Sequence, residues 1–465
     1  MSRYGFPRAT RSPRVLIVIE NVSLARDHRA RKQVDALLRA GYEVAVVGRR
    51  DPDNDRWRTE PGLRLYEYAP PPEAPGALGF ALEYGYSLLA AAALVIRAAF
   101  DGGFAAIQVG HPPDIYSFVA GPLKLTGCAF VVDQRDLSPE VFQARYGRER
   151  GLIPWVLKRL ERMSWRSADH IVCVNETLRR RIVDRGGIAP DRVTVVGNGP
   201  VLARTRGVAP DAVRKQGFPL MACWVGLMGP QDRVDLALVA IRELIMDLKR
   251  RDCLFVFIGD GEKLPSLHAR ARELGIEPWV LFTGWLDERE CFSFLASADL
   301  GMDPNMQPEV TPVKCMEYMA FGLPVVAFDL PETRAMARDA AALAASGDAS
   351  AFAEAIEALL GDPQAREVMG AKGRRNVEEH LAWDRQEATY LQVFAAALGS
   401  GSANRSPEPP QEVLGPDSAG VRQDLNIPCP QRDGIPPGLS AKIDDLLEEL
   451  GDTGGLGGAD FGQAR

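Results

Sequence analysis

Short apolar runs alternate with longer segments of helical periodicity along most of this chain, and no other feature restricts its fold as strongly. Parallel strands need a crossover connection, usually a helix, so this alternation is typical of parallel sheets covered by helices. The runs predict strands at 14–20, 43–48, 105–109, 129–133, 170–174, 193–196, 220–226, 253–261, 280–285 and 324–329. The sequence therefore predicts an α/β fold.

A stretch rich in glycine and proline, residues 197–219, interrupts the pattern and has no apolar periodicity. A chain of 465 residues is also too long for one usual hydrophobic core. We therefore predict two Rossmann-like, doubly wound domains, residues 1–200 and 201–382, with a helix over 383–399 packing back on them. Ligands bind at the carboxyl ends of such strands, which predicts a central cleft between two facing sheets.

The composition changes at residue 400 to a stretch rich in glycine, serine and proline, which predicts a disordered C-terminal tail over 400–465. Within this tail, residues 439–450 place leucine and isoleucine on one helical face and carboxylates opposite. A twelve-residue helix is marginally stable alone. It is expected to dock either on its own protein or on a protein partner, and the sequence does not choose between them.

Scattered single cysteines and the short apolar run Val15 to Ile19 argue against a disulfide framework and a signal peptide, which favours the cytoplasm. The most apolar stretch, residues 80–100, has an uncharged core of 13 residues, fewer than the roughly 20 that span a bilayer. We expect a helix packed inside the protein, with shallow membrane contact as the alternative. The net charge is −7, yet the first 200 residues carry more basic than acidic side chains, which suits an anionic membrane surface or a merely uneven solvated one.

Two glutamates, Glu309 and Glu317, stand eight positions apart in the stretch EVTPVKCMEYMAFG. A helix over about 311–321, with Pro312 in its first turn, would carry Glu317, while Glu309 would lie in the preceding loop. The two carboxylates could then hold two parts of one polar ligand, such as the vicinal hydroxyls of a ribose. The helix start suits a phosphate, and Lys314 adds a cation. An exposed ion pair between Glu309 and Lys314, without any ligand, is the alternative.

Other polar strand ends extend this candidate site. Gly259 and Gly261 follow one strand, and Gly229 and Arg233 follow another, so the loops 225–233, 259–262 and 304–314 predict a nucleotide pocket, although each alone is also typical of a plain turn. In the first domain, polar strand-end residues are expected to point into the cleft, where a histidine or aspartate could assist proton transfer from an acceptor hydroxyl or merely cap a loop. They are His111, Asp114, Asp133, Arg135, Asp136 and Glu140.

Blocks of residues over roughly 14–398 resemble the retaining glycosyltransferases of family four, which have the GT-B fold of two facing Rossmann-like domains. The most specific block is EVTPVKCMEYMAFGLPVVAFDLPETR at 309–334. Supporting blocks, in the family's order, lie at 27–47, 111–114, 133–147, 167–176, 197–200, 225–235 and 257–262. They look most like the bacterial branch that builds surface polysaccharides.

The resemblance implies a nucleoside-diphosphate-sugar donor in the second domain and transfer with retained anomeric configuration, without a metal or other cofactor. By position, Glu317 would bind the ribose and Glu309 would face the donor sugar. The other implied donor-binding residues are Lys314, Arg233, Gly229, Gly259, Gly261 and the backbone amides around Val310, Thr311 and Val313. The implied catalytic set is Glu309, Asp136 and His111.

The first domain would hold a glycan or lipid-linked acceptor, with Asp114 and Arg135 on that side, in the cytoplasm or at the inner face of the membrane. No nucleic acid partner is expected. Many family members have His-Asp where this chain has Arg135-Asp136, and an arginine and a lysine in the first phosphate loop where it has LMGPQDR. Arg233 and Lys314 are hypothesised to restore the two charges. Alternative functions are a catalytically impaired scaffold acting through its tail and a nucleotide-sugar epimerase.

Overall fold

The computed structural model describes residues 12–19, 22–71, 76–146 and 149–399. The predicted tail with its helix at 439–450 lies outside these residues. The described part contains two parallel sheets, each covered by helices, which confirms the predicted α/β class with two doubly wound units.

The first sheet has seven parallel strands in the order β3-β2-β1-β4-β5-β6-β7. Its central strand β1 pairs with β2 on one side and β4 on the other, so that Val15 lies beside Val44 and Ala106. These continuous apolar runs are buried on both faces, as parallel sheets require. The strands are β1 Arg14–Val18, β2 Glu43–Arg49, β3 Leu63–Tyr68, β4 Ala106–His111, β5 Ala129–Gln134, β6 His170–Cys173 and β7 Val193–Val195.

The second sheet has six parallel strands in the order β10-β9-β8-β11-β12-β13. The sequence did not predict β3, β11 or β13, because β3 alternates with charged residues, β11 contains a glycine and an aspartate, and β13 is mostly alanine, a weak strand former. The strands are β8 Leu220–Val225, β9 Cys253–Ile258, β10 Val280–Gly284, β11 Leu300–Asp303, β12 Val325–Phe328 and β13 Ala341–Ala344.

Helices occupy both faces of each sheet. Those that precede the second sheet are α1 His28–Arg39, α2 Gly76–Phe100, α3 Ser117–Ala120, α4 Ser138–Tyr146, α5 Leu152–Ser167, α6 Glu176–Gly186 and α7 Leu202–Thr205. Those that follow β8 are α8 Val234–Met246, α9 Leu264–Glu273, α10 Glu288–Ser297, α11 Val313–Ala320, α12 Pro331–Ala337, α13 Ala349–Gly361, α14 Pro363–Asn376 and α15 Trp383–Gly399. The predicted linker is thus partly helical, since α7 lies within it.

The 25-residue helix α2 corrects the expectation that residues 80–100 pack inside the protein. Ala91, Val95 and Ala98 are buried against the first sheet, but Leu89 and Phe100 on the opposite face are 72% and 88% exposed. By length and composition alone, the segment Leu82–Phe100 could also cross a membrane, with a mean hydropathy of 1.3. A core helix passes the same test, but here 28% of the segment is buried.

The C-terminal helix α15 returns from the second sheet to the first. Trp383, Tyr390, Val393 and Phe394 are buried in one cluster with residues of β1 and α1. The Tyr390 hydroxyl also donates a hydrogen bond to Oε1 of Gln108 in β4 at 2.8 Å. The first domain therefore completes its core with residues from the far end of the described chain.

The chain passes between the two sheets twice, near residues 197–200 and again near 381–386, and these two connecting segments contact each other. The Trp383 amide donates to the Pro200 carbonyl at 2.9 Å, and the Gly197 amide donates to Oε1 of Gln386 at 2.9 Å. A Cβ on Gly199 would lie 1.7 Å from the Leu381 carbonyl oxygen, so any side chain there would separate the two connections. The backbone contact therefore requires glycine at this position.

We expect Phe394→Ala to lower the free energy of unfolding of the first domain by about 3–5 kcal/mol, because it leaves a cavity in the core that α15 shares with β1. Urea unfolding followed by circular dichroism measures the change. The matched control is Phe100→Ala, which removes an aromatic ring that is 88% exposed. Equal losses in the two variants would contradict a structural role of α15 in the first domain.

Candidate active site

The floor of the first domain's half of the cleft is built around Asp133, at the end of β5 and fully buried. Arg29 of α1 reaches its carboxylate with Nη2 at 2.8 Å, and Gln33 donates from Nε2 at 3.0 Å. Arg135 donates from Nε to the same carboxylate at 3.2 Å and from Nη1 to Asp27 at 2.6 Å. Arg135 is therefore held between two carboxylates.

These ion pairs determine how Asp133 titrates. Burial alone would raise the pKa of Asp133, but the charges of Arg29 and Arg135 outweigh it and lower the pKa to about 2. Burial likewise opposes the charge on Arg135, yet Asp27 and Asp133 raise its pKa above the ordinary value. Asp133 and Arg135 are consequently charged at neutral pH, and Arg135 cannot serve as a proton acceptor.

Asp136 has a different environment, although it follows Arg135 directly. Its residue surface is exposed to solvent, and its backbone carbonyl accepts a hydrogen bond from Nε2 of Gln134 at 2.6 Å. The protein atoms that surround the carboxyl group raise its pKa, and the neighbouring Arg135 opposes the shift. Asp136 is thus an exposed residue whose carboxyl pKa is shifted upward by the protein atoms around it.

His111 and Asp114 do not point into the open cleft, which corrects that expectation. They are 0% and 2% exposed. His111 Nδ1 lies 3.1 Å from Oδ1 of Asp114 and 3.1 Å from Oγ of Ser164 in α5, and Ser138 donates to Oδ2 of Asp114 at 2.5 Å. The polar groups of α4 and α5 draw both side chains beneath the strand ends, where they fix the loop after β4.

Helix α11 places Glu317 in the second domain's half of the cleft. The Tyr318 hydroxyl accepts a hydrogen bond from the Val225 amide at 2.9 Å, which ties α11 to the end of β8, and Gly301 leaves room for the Tyr318 ring. Pro312 is the N-cap residue of α11 and not part of its first turn, which corrects that prediction. As predicted, Glu317 lies within the helix and Glu309 lies in the loop before it.

The Glu317 carboxylate makes no hydrogen bond or ion pair with any residue that the structure describes. Burial raises its pKa, and the charges of Lys32, Arg204 and Lys314 oppose the shift. Lys32 belongs to α1 and Arg204 to α7, so groups from outside the second sheet influence the pKa of this carboxylate, although burial lowers the pKa of Lys32 itself to about 7. Glu317 is therefore a partly buried acceptor that is available to a ligand.

Lys314 pairs with Asp232, in the loop after β8, and its Nζ lies 4.9 Å from the centre of the Trp224 ring. Burial lowers the pKa of Lys314, but Asp303 and Asp232 outweigh it and raise the pKa. The alternative of an exposed pair between Glu309 and Lys314 is wrong, because each side chain has another partner. Gly226 gives Lys314 room, since a Cβ there would lie 2.6 Å from its Cε.

The glycines of the strand-end loops serve the packing of one loop on another. Gly259, at φ 129°, packs so closely on the loop after β8 that a Cβ would lie 1.9 Å from the Gly226 carbonyl oxygen. Gly261 makes the same kind of approach to the Met228 backbone, at 2.5 Å. The Gly229 amide donates to Asp232 at 3.2 Å. The loops after β8 and β9 therefore form one rigid wall.

Arg233 lies at the end of this wall and forms an ion pair with Asp235, in which Nε of Arg233 donates to Oδ1 of Asp235 at 3.0 Å. That pair raises the Arg233 pKa above its ordinary value. Of the backbone amides proposed for a diphosphate, those of Val310 and Val313 donate within the loop, to Gln307 and Thr311. Both hypothesised cations, Arg233 and Lys314, therefore already pair with a carboxylate. The amides of Val310 and Val313 likewise already donate hydrogen bonds within the protein.

Residues at the start and in the middle of α6, in the first domain, contact the loop before α11 in the second domain. Arg181 of α6 lies 3.4 Å from Oε1 of Glu309. Asn175, at the start of α6, donates from Nδ2 to the Glu309 carbonyl and to the Thr311 hydroxyl, both at 2.9 Å. Asn175, Arg181 and Asp232 were not predicted as site residues, because their partners are distant in the chain.

Two protein-family models match the two parts of the chain that contain the residues described above. Residues 27–199 match the family described as "Glycosyl transferase 4-like domain", and residues 219–362 match "Glycosyl transferases group 1". The matches follow one another and together cover most of the described chain. The chain belongs to the family-4 glycosyltransferases.

Individual relatives agree with this assignment. The lipopolysaccharide core biosynthesis glycosyltransferase LpsE of Rhizobium meliloti is 28% identical over 59% of this chain and 80% of that protein. A phosphatidyl-myo-inositol mannosyltransferase of Mycobacterium leprae is 29% identical over 40% of this chain and 50% of that protein. These glycosyltransferase matches do not favour the scaffold alternative.

Solved structures support the fold of this glycosyltransferase. Anabaena HepE, crystallised with UDP and glucose, matches with a TM-score of 0.64 over 83% of this chain and all of that one. The two sequences are 14% identical, so the likeness establishes the shared GT-B architecture.

We expect Asp133 to contribute about 2 kcal/mol to stability above pH 4, and this contribution to disappear as the pH falls from about 4 to about 2. The sign follows from a folded-state pKa below the unfolded value. Urea unfolding at a series of pH values measures it. The difference in unfolding free energy between wild type and Asp133→Asn should shrink over this interval.

The control for this titration is Asp384→Asn, which changes an exposed carboxylate at the start of α15. Above pH 4, its difference from wild type should be smaller than that of Asp133→Asn, because the Asp384 carboxylate is exposed. A gap between wild type and Asp133→Asn that is constant down to pH 2 would contradict the role of the Arg29 and Arg135 ion pairs.

Proposed function

We propose that this protein is a retaining glycosyltransferase that moves a sugar from a nucleoside diphosphate to a glycan or lipid-linked acceptor in surface polysaccharide synthesis. The observation that carries the proposal is the Glu317 carboxylate, which is partly buried and without a hydrogen-bond partner among the described residues. A carboxylate kept in this state suits a ligand that brings hydroxyl donors, such as a ribose.

On the donor side, Glu317 binds the ribose hydroxyls and Glu309 faces the sugar. Lys314 carries the positive charge for the diphosphate, since its raised pKa keeps it protonated at neutral pH. Arg233 supports it from the neighbouring loop. A fixed cation and a helix start stabilise charge on a leaving diphosphate, so we propose that transfer needs no metal and proceeds equally in EDTA.

On the acceptor side, Asp136 accepts a hydrogen bond from the attacking hydroxyl. The bond between the anomeric carbon and the phosphate oxygen breaks, the bond to the acceptor oxygen forms on the same face, and the acceptor's proton passes to the leaving phosphate. The raised pKa of Asp136 suits it to hold that hydroxyl. His111, Asp114 and Arg135 position the strand ends around it.

The acceptor is proposed to reach this site from a membrane surface on the cytoplasmic side. Helices α2 and α5 pack on the same face of the first sheet, since both contribute to one buried cluster. Their outward faces expose large apolar side chains, accompanied by Arg97, Arg159 and Arg166. The apolar residues are Leu82, Tyr86, Leu89, Ile96, Phe100, Leu152, Trp155, Val156 and Met163. Apolar and aromatic residues with basic neighbours are typical of peripheral membrane contact.

We expect one nucleotide among UDP, GDP and ADP, or its common sugar conjugate, to raise the melting temperature of wild type at millimolar concentration, because any ligand of the folded state stabilises it by mass action. Glu317→Gln should lose most of this shift, since its amide cannot accept from both ribose hydroxyls. Thermal shift and calorimetry measure the effect.

The matched control is Glu332→Gln in α12, which alters a carboxylate outside the loops assigned to the site. It should bind the nucleotide like wild type. Turnover of the donor identified in this way should fall at least a hundredfold in Glu309→Gln. If no nucleotide stabilises wild type, or if Glu317→Gln binds normally, the donor assignment is wrong.

We expect wild type to float with vesicles that contain phosphatidylglycerol and to bind pure phosphatidylcholine vesicles less. Leu89→Glu combined with Ile96→Glu should reduce binding at least tenfold, because both side chains lie on the exposed face of α2. The control pair is Val213→Glu with Val368→Glu, two exposed apolar residues in other regions of the surface. Equal binding by both pairs would refute the α2 surface.

A further inference from the structure

Both polar atoms of the Asn175 side chain make hydrogen bonds. Oδ1 bonds within the first domain, and Nδ2 bonds to the second domain. Its Oδ1 accepts a hydrogen bond from the Leu178 amide at 2.8 Å and so caps α6 in the first domain. Its Nδ2 donates to the Glu309 carbonyl and the Thr311 hydroxyl in the second domain. The residue is 5% exposed. Capping alone does not explain an asparagine, because serine or aspartate caps a helix equally well.

The loop that Asn175 holds, residues 307–312, carries the site's chemistry. It contains Glu309 and runs directly into α11, which carries Lys314 and Glu317. The hydrogen bonds that hold the loop backbone include one from the Gln307 amide to Oδ1 of Asn305 at 2.8 Å and a longer one from the Val310 amide to the Gln307 carbonyl at 3.4 Å. The Val313 amide donates to the Thr311 carbonyl at 2.8 Å. The two bonds from Asn175 therefore fix both ends of the stretch 309–311.

Arg181, two turns further along α6, faces the same loop and lies 3.4 Å from the Glu309 carboxylate. It is half exposed, so this contact is weaker than the two part-buried hydrogen bonds of Asn175. One helix of the first domain thus contacts both the backbone and the side chain of Glu309. These contacts exist only while the two domains are together.

We propose that Asn175 is a positioning residue that fixes the Glu309 loop for transfer. It touches neither donor nor acceptor in this proposal, which rests on the proposed function. The second domain cannot make these two hydrogen bonds by itself, because their donor belongs to the first domain.

The test uses Asn175→Ser in the full chain, since serine preserves the cap on α6 but cannot reach the loop. We expect binding of UDP and GDP to change less than twofold, and the kcat for hydrolysis of UDP-glucose or GDP-mannose, whichever is the donor, to fall on the order of tenfold. The melting temperature should change by less than that of a core variant. A kcat within twofold of wild type would overturn the proposal.

Two further variants separate positioning from a general structural effect. Asp287→Ser replaces the N-cap of α10, which contacts Glu290 in its own helix, and should leave kcat unchanged. Thr311→Val should lower kcat, and the double variant with Asn175→Ser should be no worse than Asn175→Ser alone if they act through one contact. Additive losses would overturn the proposal.

Hydrogen exchange gives a result that does not depend on the donor. Without any ligand, amides of residues 307–313 should exchange faster in Asn175→Ser than in wild type, while those of α6 stay protected. Equal exchange in the loop would overturn the proposal. A wild type that binds no nucleotide would instead refute the proposed function, and the exchange experiment would still decide the role of Asn175.

Discussion

The buried carboxylate of Asp133 holds the first domain's half of the cleft together. It joins three parts of the fold, because Arg29 from α1, Gln33 from the same helix and Arg135 from the loop after β5 all donate to it. Arg29 extends the network to the connection between the domains, where its Nη1 donates to the Val196 carbonyl at 3.1 Å. Removing one partner would leave an uncompensated charge in the interior, which costs several kcal/mol.

The same network determines which group in the first domain is available for chemistry. Arg135 stands where many family members have a histidine, and its two ion pairs make it part of the framework. Asp136 remains accessible beside it. In the second domain, Lys314 and Arg233 are likewise held by Asp232 and Asp235. Lys314 and Arg233 are therefore oriented by their carboxylate partners, and any anionic ligand would have to compete with those carboxylates.

Sequence periodicity was sufficient to predict the fold, because buried parallel strands are continuous apolar runs. It failed for β11, which contains a glycine and an aspartate, and for β13, which is mostly alanine, since these residues give no β-branched or aromatic apolar run. The separation of Glu309 and Glu317 between a loop and a helix followed from local signals alone. The inward turn of His111 did not, since it depends on Ser164, 53 residues away. Likewise, nothing local to Lys314 indicates Asp232, and nothing near Glu309 indicates Asn175.

The return of α15 to the first sheet has a consequence for the order of folding during synthesis. The chain leaves the ribosome from its N-terminus, so β1 and α1 emerge early, but Trp383 and Phe394 complete their core only after the whole second domain has emerged. The second domain is contiguous in sequence and has its buried clusters to itself. It is thus able to fold first, while the apolar surface of β1 and α1 waits for the last described helix. A nascent chain that stops before α15 would expose this surface, so the 17 residues of α15 are the last part that the core of the first domain needs.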